Sequence, residues 1–259
     1  MTLEIGDSEQ FREAKLLTVP NFQPTLDNTT NMNHKICLAL DVDSRKHALT
    51  LVESLHDLTG MFKIGLQLFT AEGPAVVRDI IAGGGKVFLD LKFHDIPNTV
   101  KSAAREAARA GVSMMTIHTA GGRAMMQSVM EEVQKLETRP LVVGVTVLTS
   151  LNDATLHELG INASMEDQVL RMAKLAEASG LDGIVCSPQE VQRIRAAVDP
   201  VFKIVAPGVR MAGQSADDQS RTATPREAIA AGADFIVVGR AVTSAPDPRL
   251  AFQSLIQSL

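Results

Sequence analysis

The segment KVFLDLKFHDIPNTV, residues 86–100, puts Asp90, Lys92, His94 and Asp95 at the end of an apolar run with the composition of a buried β-strand. Ionised side chains are expensive to take out of water unless they are paired, so these charges need a purpose that packing does not supply. Side chains alternate along a strand, which places Phe88, Asp90 and Lys92 on one face and Leu89, Leu91 and Phe93 on the other. The same parity groups Asp41 with Cys37 and Ala39 in ICLALDV, and Lys63 with Gly65 in FKIGLQL. Asp and Lys groups aimed at one space from neighbouring strands point to a functional site. A self-neutralising ion lattice is the structural alternative, but such lattices are usually neutral or costly compared with apolar packing. His94 reads as a hydrogen-bonded structural residue, and His118 in TIHTAGG stays open between that and a site role. No spacing of His and carboxylate matches a metal-ligand pattern, so no metal is expected.

The elements that position these groups follow from the hydrophobic period. From His34 onward, apolar β-branched runs alternate with segments of helical period: ICLALDV then 45–58, FKIGLQL then 73–82, VFLDLKF then 98–110, and MMTIHTA then 123–136. The alternation continues with LVVGVTVL then 164–179, GIVCS then 188–198, FKIVAPG then 224–231, and FIVVGRAV then 248–257. Eight strand-then-helix units predict a parallel sheet closed into a (β/α)8 TIM barrel over residues 34–259. A doubly wound open sheet is the rival, but it typically has fewer strands, and no GxGxxG follows the first one. GGGK at 83–86 leaves a helix and enters a strand, the wrong direction for a phosphate loop, so it predicts a C-cap and turn. Residues 1–33 carry Pro20, Pro24 and DNTTNMN without a sustained period and are expected to form a polar, mobile tail.

In such a barrel the strand C-termini form the functional end, which is where Asp41, Lys63, Asp90 and Lys92 fall. Phosphate sites in barrels are commonly built from the loops after strands 7 and 8, here APGVR and VVGRAV. Gly239 lets backbone approach an anion, and Arg240 offers a fork of donors matched to phosphate oxygens. The loop over residues 208–222 is longer than a usual βα connection and is a lid candidate, with Arg210 and Gln219 placed to fold over a phosphorylated ligand.

Composition narrows the partners. A net charge of −5 gives no general attraction to nucleic acid, and a chain with no Trp or Tyr and nine Phe lacks the stacking platforms that single strands use. No apolar stretch is long enough to span a membrane, and the N-terminus lacks a signal-peptide pattern. Cys37 and Cys186 sit singly in apolar runs, which suits buried free thiols and a reducing, cytoplasmic setting.

LALD at Asp41, FKIG at Lys63, FLDLKFHDIPNT from Phe88 to Thr99, VTVLTS at Thr149, APGVR at Arg210, DDQ at Gln219 and VVGRAV at Gly239 and Arg240 together resemble the bacterial-type orotidine 5′-phosphate decarboxylase family, over about residues 35–258. The DxKxxD core is shared with related sugar-phosphate barrels, whereas DLKFHDIPNT is specific to this family. The resemblance implies decarboxylation of orotidine 5′-monophosphate to uridine 5′-monophosphate and CO2 in pyrimidine biosynthesis, without metal or cofactor. It also implies a role for each matched residue: Lys92 as proton donor to C6, Asp41 and Lys63 on the ribose hydroxyls, and Asp90 beside the substrate carboxylate. Thr149 would sit by the pyrimidine, Gln219 and Arg240 on the phosphate, and Asp95 and Thr99 in the neighbouring subunit's site of a homodimer. Two alternatives remain: a relative that forms a Mg2+-stabilised enediolate with the same DxKxxD, and a silent barrel that binds a nucleotide without turning it over.

Overall fold

The computed structural model describes residues 32–210 and 223–259. Most of the expected tail and most of the lid candidate, including Gln219, lie outside the described residues. The first half of the chain runs β1 (Ile36–Ala39), α1 (Arg45–Leu55), β2 (Met61–Ile64), α2 (Leu66–Glu72), α3 (Pro74–Ala82), β3 (Val87–Phe93), α4 (Pro97–Arg109), β4 (Met114–His118) and α5 (Gly122–Val133). The second half runs β5 (Leu141–Val145), α6 (Asp153–Glu158), α7 (Met165–Ala178), β6 (Gly183–Val185), α8 (Val191–Arg195), β7 (Lys203–Ala206), α9 (Pro225–Ala230), β8 (Phe235–Val238), α10 (Arg240–Thr243) and α11 (Pro248–Gln257). The eight strands pair in chain order, all parallel, and β8 closes on β1, so the sheet is a TIM barrel.

Strand parity separates two layers of core. Cys37, Ala39, Met61, Phe88, Met114, Val143, Val205 and Val237 point inward and fill the barrel. Their neighbours Leu38, Leu40, Phe62, Ile64, Leu89, Met115, Val142, Ile204 and Ile236 point outward and pack against the helices. The inner packing leaves the carboxyl ends of β1, β2 and β3 to carry charge, as their sequences require.

Local signals set the helix ends. Ser44, Asn152, Ser164 and Asp247 each accept a backbone N–H in the first turn of α1, α6, α7 and α11, and Thr224 with Glu227 forms a capping box at α9. Pro97 takes the first helical position of α4, where its missing N–H costs nothing, so the residue that stops the strand pattern also starts the helix. Gly83 closes α3 and Gly84 adopts φ +84°, which makes GGGK a helix end and turn as its direction predicts.

The strands stop earlier than their apolar runs. β2 ends at Ile64 and LQLFTAE becomes α2, while β5 ends at Val145 and β8 at Val238. Period alone does not separate a short buried strand from the first turn of a buried helix, which is also why α2, α6 and α10 carry no separate signal in the sequence. Among the described residues no helix is long and apolar enough to cross a membrane.

Candidate active site

At the mouth of the barrel, β1, β2 and β3 bring four charges into one chain of contacts. Lys63 Nζ lies 3.2 Å from Asp41 Oδ1 and 3.6 Å from Asp90 Oδ2, and Lys92 Nζ lies 2.9 Å from Asp90 Oδ1. Charge alternates along Asp41, Lys63, Asp90 and Lys92, so the array is neutral as a whole. Side-chain exposure is 11% for Lys63 and 14% for Asp90 but 31% for Lys92 and 50% for Asp41. The middle of the array is thus its most buried part, and its two ends are the most open to the barrel mouth.

Burial pushes the Asp90 carboxyl up, but the ammonium groups of Lys63 and Lys92 and hydrogen bonds from Lys92 and Thr116 outweigh it and hold the group below the usual carboxylate range. Asp90 is therefore ionised at neutral pH. Its contribution to stability is present above the unfolded value of about 3.9 and is lost as pH falls through the depressed native one.

Beside this array His94 stacks on His118, with ring centroids 5.1 Å apart and planes 27° from parallel. Burial lowers the His118 pKa, and the nearby His94 and Lys92 lower it further. The lowered pKa of His118 argues against His118 as a cation in the site, and the contact that His94 makes here is a ring stack.

The remaining expected residues occupy different places around the rim. Gly239 directly follows β8, and a Cβ built on it would lie 3.6 Å from Ala39 Cβ and 3.9 Å from Asp41 Oδ2, so the β8 end abuts the Asp41 side of the array. Arg240 follows it, exposed, at the start of α10. Thr149 is half-buried in the turn after β5. Arg210 donates from Nη1 to the Val209 carbonyl at 3.1 Å, and its backbone N–H donates to the Ala223 carbonyl at 3.0 Å, which ties residue 210 to residue 223. Asp95 and Thr99 do not join the charged array. They stand on an exposed rim at the start of α4, and Asp95 Oδ1 accepts from the Ile96 N–H at 2.6 Å.

Two positions that build the site carry no obvious signature in the sequence. Thr116, fully buried on β4, donates to Asp90 Oδ1 at 3.0 Å and accepts from the Lys92 N–H at 2.8 Å. Strand parity within MMTIH could have flagged it as the inward polar residue of an apolar run. Gly65 is the other: a Cβ there would lie 3.0 Å from Lys63 Nζ and 3.3 Å from Asp41 Oδ1. Its φ of −93° suits any residue, so the demand for glycine is one of space and not of backbone.

Gly65→Ala is accordingly expected to keep the fold but push Lys63 off Asp41, lowering kcat/KM by about tenfold with little change in melting temperature. Steady-state kinetics beside a thermal melt checks this; an unchanged kcat/KM would mean that Lys63 yields without consequence.

A parallel eight-stranded barrel that gathers an alternating Asp–Lys array at its strand C-termini has the architecture of a (β/α)8-barrel enzyme, with the array where such barrels carry their active sites. The family model described as "Orotidine 5'-phosphate decarboxylase / HUMPS family" matches residues 34–255, and the chain belongs to that family. It is 50% identical over 227 residues to the orotidine 5′-phosphate decarboxylase of Moorella thermoacetica, covering 85% of this chain and 90% of that one. It is also 50% identical over 230 residues to the protein of the same name from Syntrophotalea carbinolica, covering 87% of this chain and 94% of that one. Among solved structures, orotidine 5′-phosphate decarboxylase from Lactobacillus acidophilus superposes with a TM-score of 0.75 at 35% identity, covering 86% of this chain and 97% of that one.

Proposed function

We propose that Lys92 is the proton donor in the decarboxylation of orotidine 5′-monophosphate to uridine 5′-monophosphate, the reaction of pyrimidine biosynthesis that this chain catalyses as a member of its family. The observation that carries the proposal is the 2.9 Å pairing of Lys92 Nζ with an ionised, largely buried Asp90, at a strand end open to the barrel mouth. Losing CO2 from an sp2 ring carbon leaves a negative charge that must be met by groups already in place. Lys92 meets it and then gives its proton to that carbon. Asp90 holds the ammonium in position and faces the departing carboxylate. Asp41 and Lys63 are suited to the ribose hydroxyls, since together they offer an exposed acceptor and a donor 3.2 Å apart. Thr149 is assigned to the pyrimidine, and Gly239, Arg240, Arg210 and Gln219 to the phosphate.

Two features favour this reading over a Mg2+-stabilised enediolate. Asp90's oxygens are already engaged by two ammonium groups and a hydroxyl, so a cation placed there would meet Lys63 and Lys92 at close range. The relatives near 50% identity also carry the decarboxylase name. Incubating the purified protein with orotidine monophosphate and EDTA is the test: loss of the orotate absorbance band supports the reading, whereas activity that EDTA abolishes would favour the enediolate chemistry.

The second part of the proposal is a homodimer in which Asp95 and Thr99 enter the partner's site. Its support is their position on an exposed rim next to Ile96, which is itself 68% exposed, away from the array of their own chain. Lys92→Ala and Asp95→Ala homodimers should each be impaired, while a mixed dimer carries one doubly mutated and one intact site. Random re-pairing of equal amounts makes half the dimers mixed, so about a quarter of all sites should recover. Activity after dissociation and reassociation that does not exceed the sum of the separate mutants would place Asp95 in its own subunit's site. The reading carries with it the cytoplasmic setting expected from the cysteines, both of which are buried and neither of which forms a disulfide.

A further inference from the structure

We propose that Thr116 is a positioning residue for the chemical step, its single hydroxyl fixing both the backbone of Lys92 and the carboxylate of Asp90. The barrel is irregular where these residues meet. β3 advances four residues from Leu89 to Phe93 while its neighbour β4 advances two, from Met115 to Ile117, so three residues of β3 face one of β4. Two extra residues preserve parity, which is why Asp90 and Lys92 still point inward and Leu91 and Phe93 still pack outward. They also break the regular ladder at the position where the reacting lysine stands.

Lys92 absorbs the irregularity. Its φ of +52° is the one positive value on a non-glycine residue among the described residues, in a region that L side chains disfavour. Such a conformation persists only where its surroundings over-determine it. The residue of β4 opposite the bulge is Thr116, fully buried. Its Oγ1 accepts the Lys92 N–H at 2.8 Å and donates its proton to Asp90 Oδ1 at 3.0 Å, the same oxygen that lies 2.9 Å from Lys92 Nζ. A hydroxyl is at once an acceptor and a donor, so one atom closes a ring through the backbone, the ammonium and the carboxylate of the Asp90–Lys92 pair. Valine has the same shape and can do neither task. In its place the Lys92 N–H loses its acceptor and Asp90 loses a donor, with nothing to hold Lys92 in its disfavoured backbone state.

This inference rests on the reading that Lys92 delivers the proton. The experiment compares Thr116→Val, Thr116→Ser and Lys92→Ala in orotidine monophosphate turnover and in affinity for uridine monophosphate. Thr116→Val is expected to lower kcat by about ten- to a hundredfold, the scale of a small misplacement of reacting groups. KM and uridine monophosphate affinity should stay within about threefold of wild type, because the loss falls on the transition state and not on ground-state binding. Thr116→Ser keeps the hydroxyl and should retain most of kcat. A Thr116→Val enzyme with wild-type kcat, or a Thr116→Ser enzyme as slow as Thr116→Val, overturns the inference, the latter because the methyl and not the hydroxyl would then matter. If Thr116→Val does not fold, Thr116→Ser against Thr116→Ala decides by the same criterion, since both lose the methyl and only one keeps the hydroxyl. Full activity in Lys92→Ala would instead overturn the proton-donor reading, whereas an inactive Lys92→Ala beside a fully active Thr116→Val would overturn the Thr116 inference alone.

Discussion

Lys92→Ala is expected to lower kcat by about three decades or more while the protein stays folded and still binds uridine 5′-monophosphate. A cation about 4 Å from a unit negative charge at an effective dielectric near 20 is worth about 4 kcal/mol, which corresponds to about three decades in rate. Loss of the positioned proton donor adds to this, by an amount typical of general acids of about two decades or more. The fold should survive because Asp90 keeps Lys63 at 3.6 Å and the Thr116 hydroxyl at 3.0 Å, so its buried charge is not left alone. Binding should survive because the proposed ribose and phosphate residues, Asp41, Lys63 and Arg240, are left in place by the substitution. Single-turnover loss of the orotate band and titration with uridine monophosphate measure the two separately. Retention of more than a few per cent of wild-type kcat would sink the assignment of Lys92.

Arg240→Ala is expected to cost about two decades in kcat/KM, the scale of hydrogen bonds from a guanidinium to a phosphate. Arg240 stands immediately after Gly239, whose backbone sits against Asp41, so a phosphate held by Arg240 would lie at the edge of the array and not over Lys92. Its binding energy is then remote from the reacting carbon and acts by holding the substrate in place. Arg240→Lys should recover only part of the loss, since a point charge does not reproduce the planar fork. Free guanidinium added to Arg240→Ala should restore some activity by filling the vacated position. An Arg240→Ala enzyme with unchanged kcat/KM would put the phosphate site elsewhere on the rim.

Strand and helix alternation, the eight units of the barrel and the inward faces of β1, β2 and β3 are all legible in the sequence, because a period of two along a strand is set by local covalent geometry. Parity along three strands is enough to assign Asp41, Lys63, Asp90 and Lys92 to one space. Other features required the tertiary structure, since they depend on which residue of one strand meets which residue of another. Lys63 becomes the centre of the array because β2 lies between β1 and β3, within reach of Asp41 on one side and Asp90 on the other. Gly65 matters because the Lys63 ammonium and the Asp41 carboxylate fold back over it. The left-handed Lys92 and its lock by Thr116, 24 residues away, arise from a register shift between β3 and β4. Alternation along a chain is a local property, whereas register across a sheet is settled by packing between strands, and it is register that decided how Lys92 is held.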